Sequence, residues 1–161
     1  MLPNFERMLQ LVEESFATRN DPAQLDVNED VMERLQNLHP TTLSERADKN
    51  GPIVWILVIP TTTDLMNKFI EHEITEQELF ERTAPGISYD ALYLCSALVL
   101  KEFRNTGFAK ALVVDAVKKI SSVHPIQTLF VWPFSLEGDK LAEKVAQLSG
   151  FPLMKRKKQM Q

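Results

Sequence analysis

The sequence predicts one mixed α/β (α+β) domain spanning residues 1–161. Three observations predict it. The second half alternates apolar, strand-length runs with amphipathic, helix-length runs, which implies a helix-covered sheet whose late connections are parallel or mixed. The length fits one domain, and a domain of about 150 residues buries roughly 68–70% of its unfolded surface, enough for a core without staples. No repeat, low-complexity tract or linker divides the chain.

The elements follow in order. Residues 2–18 predict a helix, with Phe5, Met8, Leu9, Val12 and Phe16 in one apolar stripe. Asn20-Asp21-Pro22 ends it. Residues 27–38 predict a second helix, with Val31, Leu35 and Leu38 on one face. Residues 40–50 are polar and end in the turn signal Asn50-Gly51. Residues 52–59 are continuously apolar, a strand buried on both faces and stopped by Pro60. Short helices are predicted over 63–70 and 75–82; Thr75 and Glu78 make a capping box that opens the second.

Residues 92–100 predict a central strand, and 106–122 a helix turning Ala109, Leu112, Ala116 and Ile120 inward. A strand over 126–132 ends at Pro133. A helix over 136–149 turns Leu141, Val145 and Leu148 inward and stops at Gly150. Residues 151–154 predict a short last strand, and 155–158 a solvated basic tail.

Composition excludes several classes. Hydrophobic residues make up 44% and charged residues 25%, ordinary for a globular protein. The formal net charge of -4 argues against nucleic acid as a partner. The single Cys95 cannot form an internal disulfide, and the N-terminus lacks a signal-peptide pattern, so a cytoplasmic location is expected. No apolar run reaches the roughly 20 residues of a membrane span. Cys95 and the three histidines show no metal-ligand spacing, so no metal site is expected.

The most informative stretch is residues 104–109, between a strand and a helix. A glycine turn at a helix start aims backbone N–H groups outward, which suits a phosphate. Gly107 lets the backbone approach an anion that a side chain would block. Arg104 can shape the loop or touch phosphate.

Residues 99–112 resemble the cofactor motif of the GNAT acyltransferase superfamily, which has the form Arg/Gln-x-x-Gly-x-Gly/Ala. Arg104, Gly107 and Ala109 match its defined places. The resemblance covers residues 90–152 and extends to Gly150-Phe151, similar to the family's helix-closing Gly-Phe. It implies a GNAT-like mixed, largely antiparallel central sheet flanked by helices, with a splayed strand pair after the central strand. It also implies an acetyl-CoA-dependent N-acyltransferase that takes acetyl-CoA or another acyl-CoA and an amine, as a small molecule or a peptide. Leu98, Val99 and Leu100 would pair with the pantetheine arm, and one strand N–H there would polarise the thioester oxygen. Arg104, Asn105, Thr106, Gly107, Phe108, Ala109 and Lys110 would hold the pyrophosphate. A homodimer is common in such proteins.

The chain also departs from that pattern. The tyrosine that protonates the leaving thiolate would stand at Ala146, and the asparagine near the helix start is Asp139. Tyr93, Cys95 and Ser135 are weak substitutes, and Cys95 reads first as a buried structural thiol. Asp90, Glu71, His72, Glu73 or a water chain would have to supply the base. The usual first strand is absent or lies before Phe5, and the tail is too short for a final hairpin. Residues 61–89 would choose the acceptor. The alternative is a non-catalytic acyl-CoA-binding or partner-binding domain of this fold; a structural domain without cofactor is a third.

Overall fold

A computed structural model of the chain describes residues 3–19 and 24–158, the side chains of 16–19 excepted. Five strands form one sheet in sequence order: β1 (Leu43–Asp48), β2 (Gly51–Thr61), β3 (Ala91–Val99), β4 (Thr128–Val131) and β5 (Leu153–Lys155). β1, β2 and β3 pair antiparallel, whereas β3–β4 and β4–β5 are parallel. The antiparallel ladders are the long ones, so the sheet is mixed and largely antiparallel. Helices α1 (Pro3–Arg19), α2 (Glu29–Leu38), α3 (Thr63–Ile70), α4 (Glu76–Arg82), α5 (Phe108–Ser121) and α6 (Leu136–Ser149) flank it.

Side-chain alternation gives the sheet two buried faces. Val54, Ile56, Val58, Leu92 and Leu94 pack on Val113, Val117 and Ile120 of α5 and on Val145 of α6. Leu57, Ile59, Tyr93 and Phe130 pack on Leu35 of α2, Phe69 of α3 and Leu79 of α4. Phe69 meets the Tyr93, Phe130 and Trp132 rings at centroid distances of 5.1, 6.0 and 5.9 Å. α1 packs on β2 and β3, with Met8 fully buried and the Phe5 ring edge-on to Trp55.

Several expectations change. The polar stretch before Asn50 forms β1, joined to β2 by a hairpin at Asn50-Gly51. Its Glu45, Arg46 and Asp48 are exposed, and a charged edge strand carries no apolar alternation to betray it. Pro60 does not stop β2, because it pairs with Leu92 inside the strand. β1 ends its pairing at Leu57, so Pro60 has no ladder partner to lose on that side. In α1, Phe5 and Leu9 are exposed, leaving Met8 as the centre of the stripe; Phe16 lies outside the described side chains. In α6, Leu148 is exposed while Ala142 and Ala146 are buried, so the inward face is rotated toward small residues. Among the described residues no strand precedes Phe5, and no helix is long and apolar enough to cross a membrane.

The tail is not simply solvated. Arg156 is buried. Its Nε donates to the Phe69 carbonyl at 3.0 Å and its Nη2 to the Ile74 carbonyl at 3.2 Å. The guanidinium lies 4.2 Å from the Phe69 ring centroid and 4.4 Å from that of Trp132. Lys157 adds a backbone bond to Ile70 and an ion pair with Glu71. The last residues therefore fasten β5 and its exit to α3.

Candidate functional site

The loop between β3 and α5 is built from backbone. After a single 3-10 turn at Lys101–Phe103, Asn105 adopts φ +64° and Gly107 φ +83°, both left-handed. Asparagine tolerates that region and glycine enters it freely. Gly107 is the N-cap of α5, and no side chain caps the helix there. Thr106 Oγ1 donates to the Phe103 carbonyl at 2.6 Å and accepts the Phe108 N–H at 3.3 Å. The N–H groups of Asn105, Thr106, Gly107, Ala109 and Lys110 take no hydrogen-bond partner among the described residues. Their cluster and the helix dipole favour an anion. A Cβ added at Gly107 would meet nothing within 4 Å, so the space above the turn is open.

Charged side chains complete this loop. Arg104 Nε donates to the Val99 carbonyl at 3.4 Å, so Arg104 folds back over the end of β3. The Arg46 guanidinium stacks 3.8 Å from the Phe108 ring centroid. It comes from β1, more than fifty residues earlier in the chain, and no local pattern announces it. Glu102, the nearby acid, is taken up by Arg7 at 2.6 Å. That bond to Arg7 holds the Glu102 carboxyl below its ordinary value.

β3 and β4 part halfway along. Their register runs from Ala91↔Thr128 to Leu94↔Val131 and stops. β3 continues to Val99, while β4 ends at Val131 and Pro133 follows in irregular chain. Beyond Leu94, β3 therefore has no β4 partner. Leu100 N donates to the Ile53 carbonyl at 3.0 Å. By alternation Leu98 also addresses β2, and Val99 and Ala97 address the opening. Of Leu98, Val99 and Leu100, Val99 thus turns its backbone groups toward the gap.

A β-bulge then redirects side chains. Leu57 pairs with Ser96 and Val58 with Leu94, so Cys95 is the extra residue. The bulge turns Cys95 and Ser96 to the same face, the one occupied by α1 and α4. Both line a cavity of about 370 Å³, within the usual ligand-site range of about 300–1,000 Å³. Leu57 and Leu98 share its base, and α1 and the 24–27 segment form its walls.

Glu76 lies beneath this cavity with no solvent exposure. Its Oε1 accepts the Leu25 N–H at 2.5 Å, and its Oε2 accepts the Tyr93 hydroxyl at 2.5 Å. The Cys95 thiol lies 3.7 Å from Oε2. Glu76 therefore ties the cavity wall at Leu25 to β3. In sequence it looks like a first-turn helix acid. Only the tertiary fold brings its partners to it, so no local signal finds it.

The remaining candidates are placed as follows. Tyr93 is fully buried and its hydroxyl serves Glu76. Cys95 is a buried thiol at the cavity. Ser135 caps α6, accepting the Gly138 N–H at 3.0 Å. Ala146 packs in the core, and Asp139 pairs with Lys155 at 2.8 Å. Asp90 accepts the Thr63 N–H at 2.7 Å, which fixes the start of α3. His72 contacts the Lys157 carbonyl, remote from the cavity. The Trp132 and Phe134 rings meet tilted at 45°, 4.2 Å between centroids, just past the end of β4, and Phe134 is exposed.

No family model matches the chain, and no curated protein or solved structure matches it.

Proposed function

We propose that this protein is a GNAT-like N-acyltransferase that binds acetyl-CoA, or another acyl-CoA, in the opening between β3 and β4. One observation carries the reading: the N–H groups of Asn105, Thr106, Gly107, Ala109 and Lys110, unpartnered among the described residues, stand beside a strand edge that β4 has left open. The two features together suit a diphosphate joined to an extended polar arm. The loop N–H groups hold the diphosphate, and Arg46 and Lys110 add positive charge. Val99 presents its strand N–H to the arm, its C=O already accepting from Arg104.

Bound acyl-CoA supplies an activated thioester. An amine nitrogen bonds the acyl carbon, the carbon–sulfur bond breaks, and one amine proton ends on the departing sulfur. The strand N–H groups facing the opening stabilise charge on the acyl oxygen. Positioning of the two reactants is the protein's main contribution. A cytoplasmic protein with no nucleic-acid partner accords with the net charge and the single cysteine, Cys95.

A second reading keeps the cofactor and drops the chemistry. It rests on Ala146, a buried methyl where a hydroxyl is expected, and on the prior engagement of Tyr93 and Ser135. Turnover separates the two. With acetyl-CoA and a broad amine panel, transfer releases free thiol. A thermal shift by acetyl-CoA with no thiol release on any amine leaves the binding-only reading.

A further inference from the structure

We infer that the cavity over Cys95 and Ser96 selects the acceptor, and that the acceptor is a primary amine carried on an apolar body. This rests on the acyl-transfer reading above. The cavity and the proposed thioester position share one strand: Ser96 and Leu98 turn their side chains to the cavity, and the intervening Ala97 turns its backbone groups to the opening. A ligand seated in the cavity therefore lies against the residues flanking the open edge.

The walls set the chemistry of the ligand. Val12, Leu25, Val27, Leu57 and Leu98 supply aliphatic surface from four separate segments. The charged residues among the described lining are Glu13, Asp26 and Glu76, all acidic. Glu13 and Asp26 are exposed, and so form a rim that water and an arriving ammonium reach. Glu76 adds its carboxyl below, already engaged by Leu25 and Tyr93. An anionic acceptor meets only like charge here. A polyhydroxylated amine finds only Ser15, Gln24 and Ser96 as neutral polar side chains among the described lining, and leaves its other polar groups against the aliphatic walls. A hydrocarbon tail ending in one amine satisfies both wall and rim.

This also relocates specificity. The residues that choose lie in α1, the 24–27 segment and the bulge of β3. From the 61–89 stretch, where selection is expected from sequence, only Glu76 takes part.

Calorimetric titration of the full chain with n-hexylamine tests the inference, with 1-hexanol as the uncharged control. Saturable binding of one hexylamine per chain, tighter than hexanol, is expected. Val27→Trp, a change at an exposed wall position, abolishes it. Asp26→Lys weakens it roughly fivefold at low salt, the scale of one unit-charge contact in water. Both variants keep the wild-type thermal response to acetyl-CoA. Hexylamine binding that is unsaturable, or indifferent to Val27→Trp, overturns the cavity assignment while leaving the cofactor reading intact. Hexylamine binding blocked by Val27→Trp, in a protein that acetyl-CoA does not stabilise, overturns the transfer reading and the acceptor role with it.

Discussion

Residues 105–110 offer exposed backbone, whereas the cavity over Cys95 gathers side chains from five separate segments of the chain. The loop depends on two left-handed residues and on the absence of a cap. The cavity depends on a bulge, a helix pair and one buried carboxylate. Their sensitivities therefore differ. A loop change should alter anion binding and hardly touch the core. A cavity change below the rim should alter the core itself.

The largest effect expected is from Glu76→Ala. It removes the carboxyl that accepts from the buried Leu25 N–H and Tyr93 hydroxyl. Losing the shared acceptor of two buried donors costs about 3 kcal/mol. Urea unfolding would read it as a lower midpoint at unchanged slope. A wild-type midpoint would mean that Glu76 does not hold the wall to the sheet.

Arg46→Ala acts on the other region and by less. Arg46 is exposed, so removing it spares the core. One phosphate contact in water is worth about 1 kcal/mol, so acetyl-CoA should bind roughly fivefold more weakly. Titration at low and high salt checks this, since added salt should shrink the difference. Equal affinity for both proteins would remove Arg46 from the site.

The smallest effect lies outside both regions and calibrates them. Burial, and then the nearby His124 and Lys119, holds the His39 imidazole below its ordinary value of 6.5. The unfolded chain therefore binds the proton more tightly. This contribution to stability is full above about pH 6.5 and is lost as pH falls through the lower folded value. His39→Gln should flatten that part of the urea midpoint against pH. An unchanged slope would assign it to other groups.

The sequence makes the first region readable and hides the second, for a physical reason. A strand, a glycine turn and a helix start are local, so residues 104–109 point to the loop directly. The parting of β3 and β4 is likewise foreshadowed by Pro133. β1 escapes because a charged edge strand needs no apolar pattern. The bulge at Cys95 escapes because it shifts register without changing composition. Glu76, Leu25 and Tyr93 stand far apart in sequence, and only packing joins them. Arg46 reaches Phe108 only through the β1–β2 hairpin.

The central claim is that residues 105–110 hold the diphosphate of an acyl-CoA. Thermal unfolding with and without acetyl-CoA tests it most directly, using wild type, Gly107→Glu and Gly107→Ala. Ligand at 100 times its Kd stabilises by about 2.7 kcal/mol, a rise of roughly 5–11 °C for a chain of this size. Gly107→Glu should lose that rise, because it sets bulk and negative charge above the turn. Gly107→Ala meets the same positive φ without the charge, and so controls for backbone strain. A rise in wild type and Gly107→Ala but not in Gly107→Glu is the predicted result; no rise in wild type at millimolar acetyl-CoA, or a full rise in Gly107→Glu, contradicts the account.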